Sequence, residues 1–153
     1  RYPRGEAYDG LKEHRKPIVY GKSEWIYEEG DICLLAVGSM VKTASQVREQ
    51  LKEKGYSCSL INARFVKPLD EDTIESAYDA HRLFVSMEEN VASGGYGEKV
   101  REFLDRKKWG KAFLSIAIPD AYVEHGNVEL LRQEIAIDAD SVTKRIIDEY
   151  SRL

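Results

Sequence analysis

Six consecutive apolar residues, Ile32-Cys33-Leu34-Leu35-Ala36-Val37, run straight into Gly38-Ser39. A strand with one face in water alternates apolar with polar residues, so an unbroken run marks a strand buried on both faces. The next segment has the other period. Met40, Ala44, Val47 and Leu51 recur at steps of four, three and four, which predicts a helix over 40–54 with one apolar face, closed by Gly55. A doubly buried strand followed at once by an amphipathic helix calls for an α/β fold, with a mostly parallel sheet between helical layers.

The alternation continues along the chain. Residues 57–62 predict a second strand. Residues 70–80 predict a helix, with Asp70, Glu71 and Asp72 suited to its positive end. Residues 83–87 read as a third strand, 95–107 as a helix with Val100, Phe103 and Leu104 inward, and 113–118 as a fourth strand stopped by Pro119-Asp120. Two helices follow near 127–136 and 139–152. Residues 17–30 hold two short β-rich runs split by Gly21-Lys22-Ser23, which predict a hairpin or a bent edge strand and hence an antiparallel edge. Residues 1–16 have little apolar periodicity and read as a linker or an incoming arm.

A length of 153 residues fits one domain. A net charge of −4 excludes a broadly basic nucleic-acid binder. No apolar run reaches the roughly 18 residues of a membrane span, and no signal-peptide pattern opens the chain, so the expected compartment is the cytoplasm. Cys33 and Cys58 make neither a disulfide framework nor a metal quartet, and in core strands they are expected to be inert. The chain begins at Arg1, not Met, and residues 1–22 carry six basic groups against three acidic ones while the remainder is acidic. The expectation is a piece of something larger.

Ligands of open α/β sheets gather beyond the carboxyl ends of the strands. There, Gly94-Gly95-Tyr96-Gly97 enters a helix, and free N–H groups with a helix dipole suit phosphate. Its spacing is neither a Walker loop nor GxGxxG, which favours a tight turn with close backbone approach. Glu88 and Glu89 lie at a strand end, where neighbours point to opposite faces. One is expected to pair with a base such as Arg64, and the other to cap the next turn or meet a partner. His125 could serve as a general base or a phosphate donor. No nearby Ser, Cys or second His completes a catalytic arrangement, which favours a hydrogen-bonded structural histidine. Arg4, between Pro3 and Gly5, suits bidentate recognition of phosphate or carboxylate, and equally fits an ordinary surface arginine. The residues describe a domain with anion-friendly loops and no catalytic set of its own.

Five motifs stand in order: Arg-Tyr-Pro-Arg-Gly at 1–5, LLAVGSMV at 34–41, NARFVKPLD at 62–70, MEEN at 87–90 with Gly94-Gly95-Tyr96-Gly97, and Ile118-Pro119-Asp120 with Glu124-His125-Gly126. Together they resemble the C-terminal domain of the 1-deoxy-D-xylulose-5-phosphate synthase family, over essentially the whole chain. The resemblance implies a three-layer α/β/α sandwich with a mostly parallel five-stranded sheet. It implies residues 1–16 as the tail of a preceding pyrimidine-binding domain plus linker, and 17–153 as a transketolase C-terminal domain. It implies a parent transferase that uses thiamine diphosphate and Mg²⁺ and joins pyruvate to D-glyceraldehyde 3-phosphate with loss of carbon dioxide. The product serves isoprenoid, thiamine and pyridoxal biosynthesis.

In that family the arginine of the Pro-Arg-Gly triplet contacts the acceptor's phosphate, and here it matches Arg4. No catalytic residue, metal ligand or bound cofactor is expected on this chain. The implied partners are the remaining domains of the parent, a second subunit in a homodimer, and the two small substrates; no nucleic acid and no membrane. Arg64, Glu88, Glu89, Gly94, Gly95, Gly97 and His125 are left as interface or structural loop residues. Two departures stand out: Ala117 occupies a place where glycine is common, and residues 134–138 lack a usual glycine. The alternatives are the matching domain of a transketolase or of a 2-oxo acid dehydrogenase beta subunit, and a stand-alone interaction module.

Overall fold

The computed structural model describes residues 8–153. In chain order the elements are β1 (Glu24–Tyr27), β2 (Asp31–Ala36), α1 (Met40–Glu53), β3 (Cys58–Asn62), α2 (Glu71–Ser76), β4 (His81–Val91), α3 (Tyr96–Lys107), β5 (Ala112–Ile118), α4 (Val128–Glu134) and α5 (Ala139–Tyr150). The five strands form one sheet in the order β1-β3-β2-β4-β5. Strands β2 to β5 run parallel, and β1 pairs antiparallel with β3.

Strand β2 explains its own composition. Ile32, Leu34 and Ala36 face one helical layer, and Cys33 and Leu35 face the other, all buried. The first layer is α1 and α5, which contribute Met40, Ala44, Val47, Leu51, Val142 and Ile146. The second is α2 and α3, which contribute Ile74, Val100, Phe103 and Leu104. Each large apolar side chain removed from water here stabilises the fold by about 1.5–3 kcal/mol. Both cysteines are fully buried, and burial pushes their thiols well above the ordinary range.

Three elements settle or correct the sequence reading. Of the two readings of residues 17–30, the bent edge strand holds and the hairpin does not: there is a single strand, β1, with an irregularity between Trp25 and Tyr27, and its partner is the distant β3. Ile18, Val19 and Tyr20 stand in solvent at 76%, 58% and 78% exposure, and a turn from Val19 to Lys22 follows them. Pro17 brings no N–H to a ladder at that point. The predicted third strand is longer: β4 reaches Val91, because β5 continues to Ile118 beside it, with an irregularity between Met87 and Val91. Glu88 and Glu89 therefore lie inside a strand. The predicted 70–80 helix is reduced to Glu71–Ser76. The His81 ring lies 2.5 Å from the Ala77 carbonyl, an acceptor that a longer helix would use.

Residues 8–16 are largely exposed, but two side chains meet the body of the fold. Leu11 packs on the α1/α5 side of the core, and the His14 ring meets Tyr27 edge-on at 5.1 Å. Because β2 connects to β3 on one side and the chain then crosses to β4 on the other, the strand order reverses between β2 and β4. The carboxyl ends of those two strands flank the crevice where open α/β sheets place ligands.

Candidate functional site

Two arginine–glutamate pairs and one capping carboxylate occupy the carboxyl end of the sheet. At the switch point, Glu89 receives three hydrogen bonds from the Arg132 guanidinium, at 2.8, 2.9 and 3.1 Å, and one from the Ser39 hydroxyl at 2.5 Å. Arg132 comes from α4, a helix without a single buried residue. The pair thus fastens α4 across the crevice to the start of α1.

Glu88 points elsewhere. Its carboxylate accepts from the backbone N–H groups of Tyr96 and Gly97, both at 2.8 Å, where α3 begins. These are the donors a phosphate at Gly94–Gly97 would use, and the chain's own carboxylate takes them. The glycines follow from this contact. A Cβ at Gly95 would lie 2.5 Å from the Glu88 carboxylate, and one at Gly97 would lie 2.5 Å from Ser86 Oγ. Close approach, not ligand binding, accounts for them in this geometry.

Arg64 does not pair with Glu88 or Glu89, contrary to the sequence expectation. It lies beyond β3, on the opposite side of β2 from β4, and its partner is Glu24 at 2.5 Å. The side chains are only 13% and 2% exposed. The same guanidinium donates to the carbonyls of Lys16 at 2.9 Å and Pro17 at 3.2 Å, and the Lys16 N–H returns to Glu24 at 2.9 Å. A hollow of about 350 Å³ opens beside this clamp, lined by Val19, Lys22 and Ser23 among others. Asp70 reinforces it by accepting from the Ser23 N–H at 2.7 Å, the Thr73 hydroxyl at 2.7 Å and Lys22 at 3.1 Å. Burial alone would raise the Asp70 carboxyl, but these donors hold it below the ordinary carboxylate range.

His125 is exposed in the loop between β5 and α4, and among the described residues its ring meets no hydrogen-bond partner. Arg4 lies outside the described residues. Sequence reasoning missed Glu24, Ser39 and Arg132. Glu24 carries a faint signal, a charge inside a β-rich run; Arg132 carries none, because its partner is 43 residues away. Among the described residues no three His, Cys, Asp or Glu side chains come together to hold a metal. No helix there is long and apolar enough to cross a membrane.

A family model described as the C-terminal domain of transketolase matches residues 21–142. The chain belongs to that family. Among solved structures it resembles a split-gene transketolase described as an inactive β4 tetramer, with a TM-score of 0.81, 19% identity, and coverage of 88% of this chain and 44% of that one. A transketolase variant from Pichia stipitis gives a TM-score of 0.61 at 14% identity, covering 86% of this chain and 18% of the other. At such identities the likeness concerns the fold, and it is the three-layer transketolase C-terminal fold. Sequence relatives are closer. The 1-deoxy-D-xylulose-5-phosphate synthase of Lachnoclostridium phytofermentans is 48% identical over 147 residues, which is 95% of this chain and 24% of that protein. The synthase of Aquifex aeolicus is 37% identical over 148 residues, 97% of this chain and 24% of that protein. The chain spans about a quarter of the length of the curated synthases it matches.

Proposed function

We propose that this chain is the C-terminal domain of a 1-deoxy-D-xylulose-5-phosphate synthase. The parent enzyme would condense pyruvate with D-glyceraldehyde 3-phosphate, with loss of carbon dioxide, as a cytoplasmic homodimer. The observation that carries this reading is 48% identity sustained over 95% of the chain. Residues 1–16 are then the tail of the preceding domain with its linker, and residues 17–153 the C-terminal domain.

In the parent, thiamine diphosphate would supply the electron sink for decarboxylation and Mg²⁺ would hold its diphosphate, both bound by the other domains. This chain's contribution is binding and orientation. Arg4 holds the acceptor's phosphate through charge-assisted hydrogen bonds, and that remote binding energy orients the aldehyde. The crevice supports the same division of labour. Glu88, Glu89, Ser39 and Arg132 are committed to one another or to backbone, which leaves no activated nucleophile or free base among them.

Arg4→Ala in the full-length enzyme tests the reading. The expected result is a rise in KM for glyceraldehyde 3-phosphate of tenfold or more, with KM for pyruvate little changed. Unaltered use of the phosphorylated acceptor would remove Arg4 from the assignment. Incubating the isolated chain with thiamine diphosphate, Mg²⁺ and both substrates should give no turnover above background.

A further inference from the structure

We propose that the carboxyl end of the sheet is a docking face, and that its occupant is the part of the parent chain that precedes this domain. The proposal rests on the reading of this chain as one domain of a longer synthase, and it names the surface that joins the domain to the rest.

The distribution of large apolar side chains in solvent carries it. On one flank of the crevice, Ile18, Val19 and Tyr20 precede β1 and Val66 follows β3. On the other, Val91 ends β4, Tyr122 follows β5 at 89% exposure, and Val128 and Leu130 lie on α4. Because β1 runs antiparallel to β3, its start shares the carboxyl end with the ends of the parallel strands. The opposite end of the sheet differs. Outside the arm, its one exposed large apolar side chain among the described residues is Leu153, just past Tyr150, whose hydroxyl accepts from Arg82 near the start of β4. Single exposed apolar residues are ordinary on any protein, whereas a clustered set marks a contact surface.

The first group is also held in place. Tyr20 meets Phe65 edge-on at 5.6 Å, and Arg64 donates to the Pro17 carbonyl. The turn from Val19 to Lys22 rests on Pro68, which a Cβ at Gly21 would approach to 2.8 Å. Two stretches of chain distant in sequence are thus packed together with their apolar side chains turned to water. Two observations choose the occupant. At the crevice between the groups stands the Glu89–Arg132 pair, which keeps part of its water. The core of an obligate subunit interface is depleted in charge, whereas contacts between domains of one chain are smaller and more polar. The chain also covers only 24% of the Lachnoclostridium synthase, so most of the parent lies outside it, and the arm that leads there runs through Lys16 and Pro17 directly into Ile18. A tethered partner has an effective concentration on the order of millimolar, so a divided apolar surface suffices to seat it.

The experiment is hydroxyl-radical footprinting of the full-length enzyme, read by mass spectrometry as the oxidation rate of each side chain against the intrinsic rate of its amino acid. Tyr20 and Tyr122 should oxidise about fivefold more slowly than their exposure in this fold allows, while Leu153 stays within about a factor of two of its expected rate. The double variant Ile18→Ser, Tyr20→Ser changes only side chains that stand in solvent here, so the domain keeps its fold. In the full-length enzyme it should raise oxidation of Tyr122 and Leu130 about twofold, because one body covers both groups. Unprotected Tyr20 and Tyr122 overturn the proposal. So does protection that disappears when the enzyme is diluted to single subunits, which would make the occupant a second copy. Tyr122 unmoved by the double variant overturns the single occupant. Protection at both groups in a parent that does not condense pyruvate with glyceraldehyde 3-phosphate upholds the docking face and fails the synthase reading alone.

Discussion

Two arginine–glutamate pairs sit at the same end of one sheet and hold different things. Glu24–Arg64 is almost wholly buried and ties down an entering segment of backbone. Glu89–Arg132 is 27% exposed on each partner and fastens a short surface helix across the strand-order reversal. The first pair replaces the water its groups have lost with four polar contacts. The second keeps part of its water. In the first case the surroundings were built around the ions; in the second the ions were laid over a finished surface.

Removing one partner separates them most sharply. Glu24→Ala leaves a nearly buried guanidinium without its counter-ion, and should cost about 3–5 kcal/mol in urea unfolding. A loss under 1 kcal/mol would mean the two pairs are alike. Acid acts beside the first pair next. The folded Asp70 carboxyl is held below its unfolded value, so its stabilisation is complete above the unfolded value and is lost as pH falls through the folded one. Amide exchange at Lys22 and Ser23 should therefore accelerate as pH drops below about 4, after correction for intrinsic rates. Arg132→Ala should cost only about 1 kcal/mol, and less again in 1 M salt, because a pair that keeps part of its water is screened. Its exchange signature should be confined to residues 119–134.

The smallest effect concerns backbone alone. Ala136, just beyond α4, has φ +56°. This is the stretch where the sequence reading expected a glycine. Ala136→Gly should stabilise the chain by about 0.5 kcal/mol, the relief of strain being partly offset by the greater freedom of glycine when unfolded. No gain, or a loss, in thermal midpoint would show that the hydrogen bond from Arg145 to the Ala136 carbonyl already fixes this turn.

What the sequence made legible was whatever depends on near neighbours. The unbroken β2 run, the Met40–Leu51 stripe and the Val100–Leu104 face all reappear as core, because burial imposes a period that a single segment displays. The motifs likewise placed the chain in its family. What stayed illegible depends on distance. Glu24 and Arg64 are 40 residues apart, and Glu89 and Arg132 are 43. Which acid meets which base follows from strand order, and no local pattern encodes that order. For residues 17–30 the sequence left a hairpin and a bent edge strand open; the structure has the bent antiparallel edge strand, and its partner, β3, could not be read from local pattern.

That long-range pairing also orders events in time. A chain emerging from the ribosome exposes β1 well before β3 and Arg64 exist. Until some forty further residues have appeared, nothing is available to grip Lys16 and Pro17. The arm is fastened only once the sheet that receives it has been made.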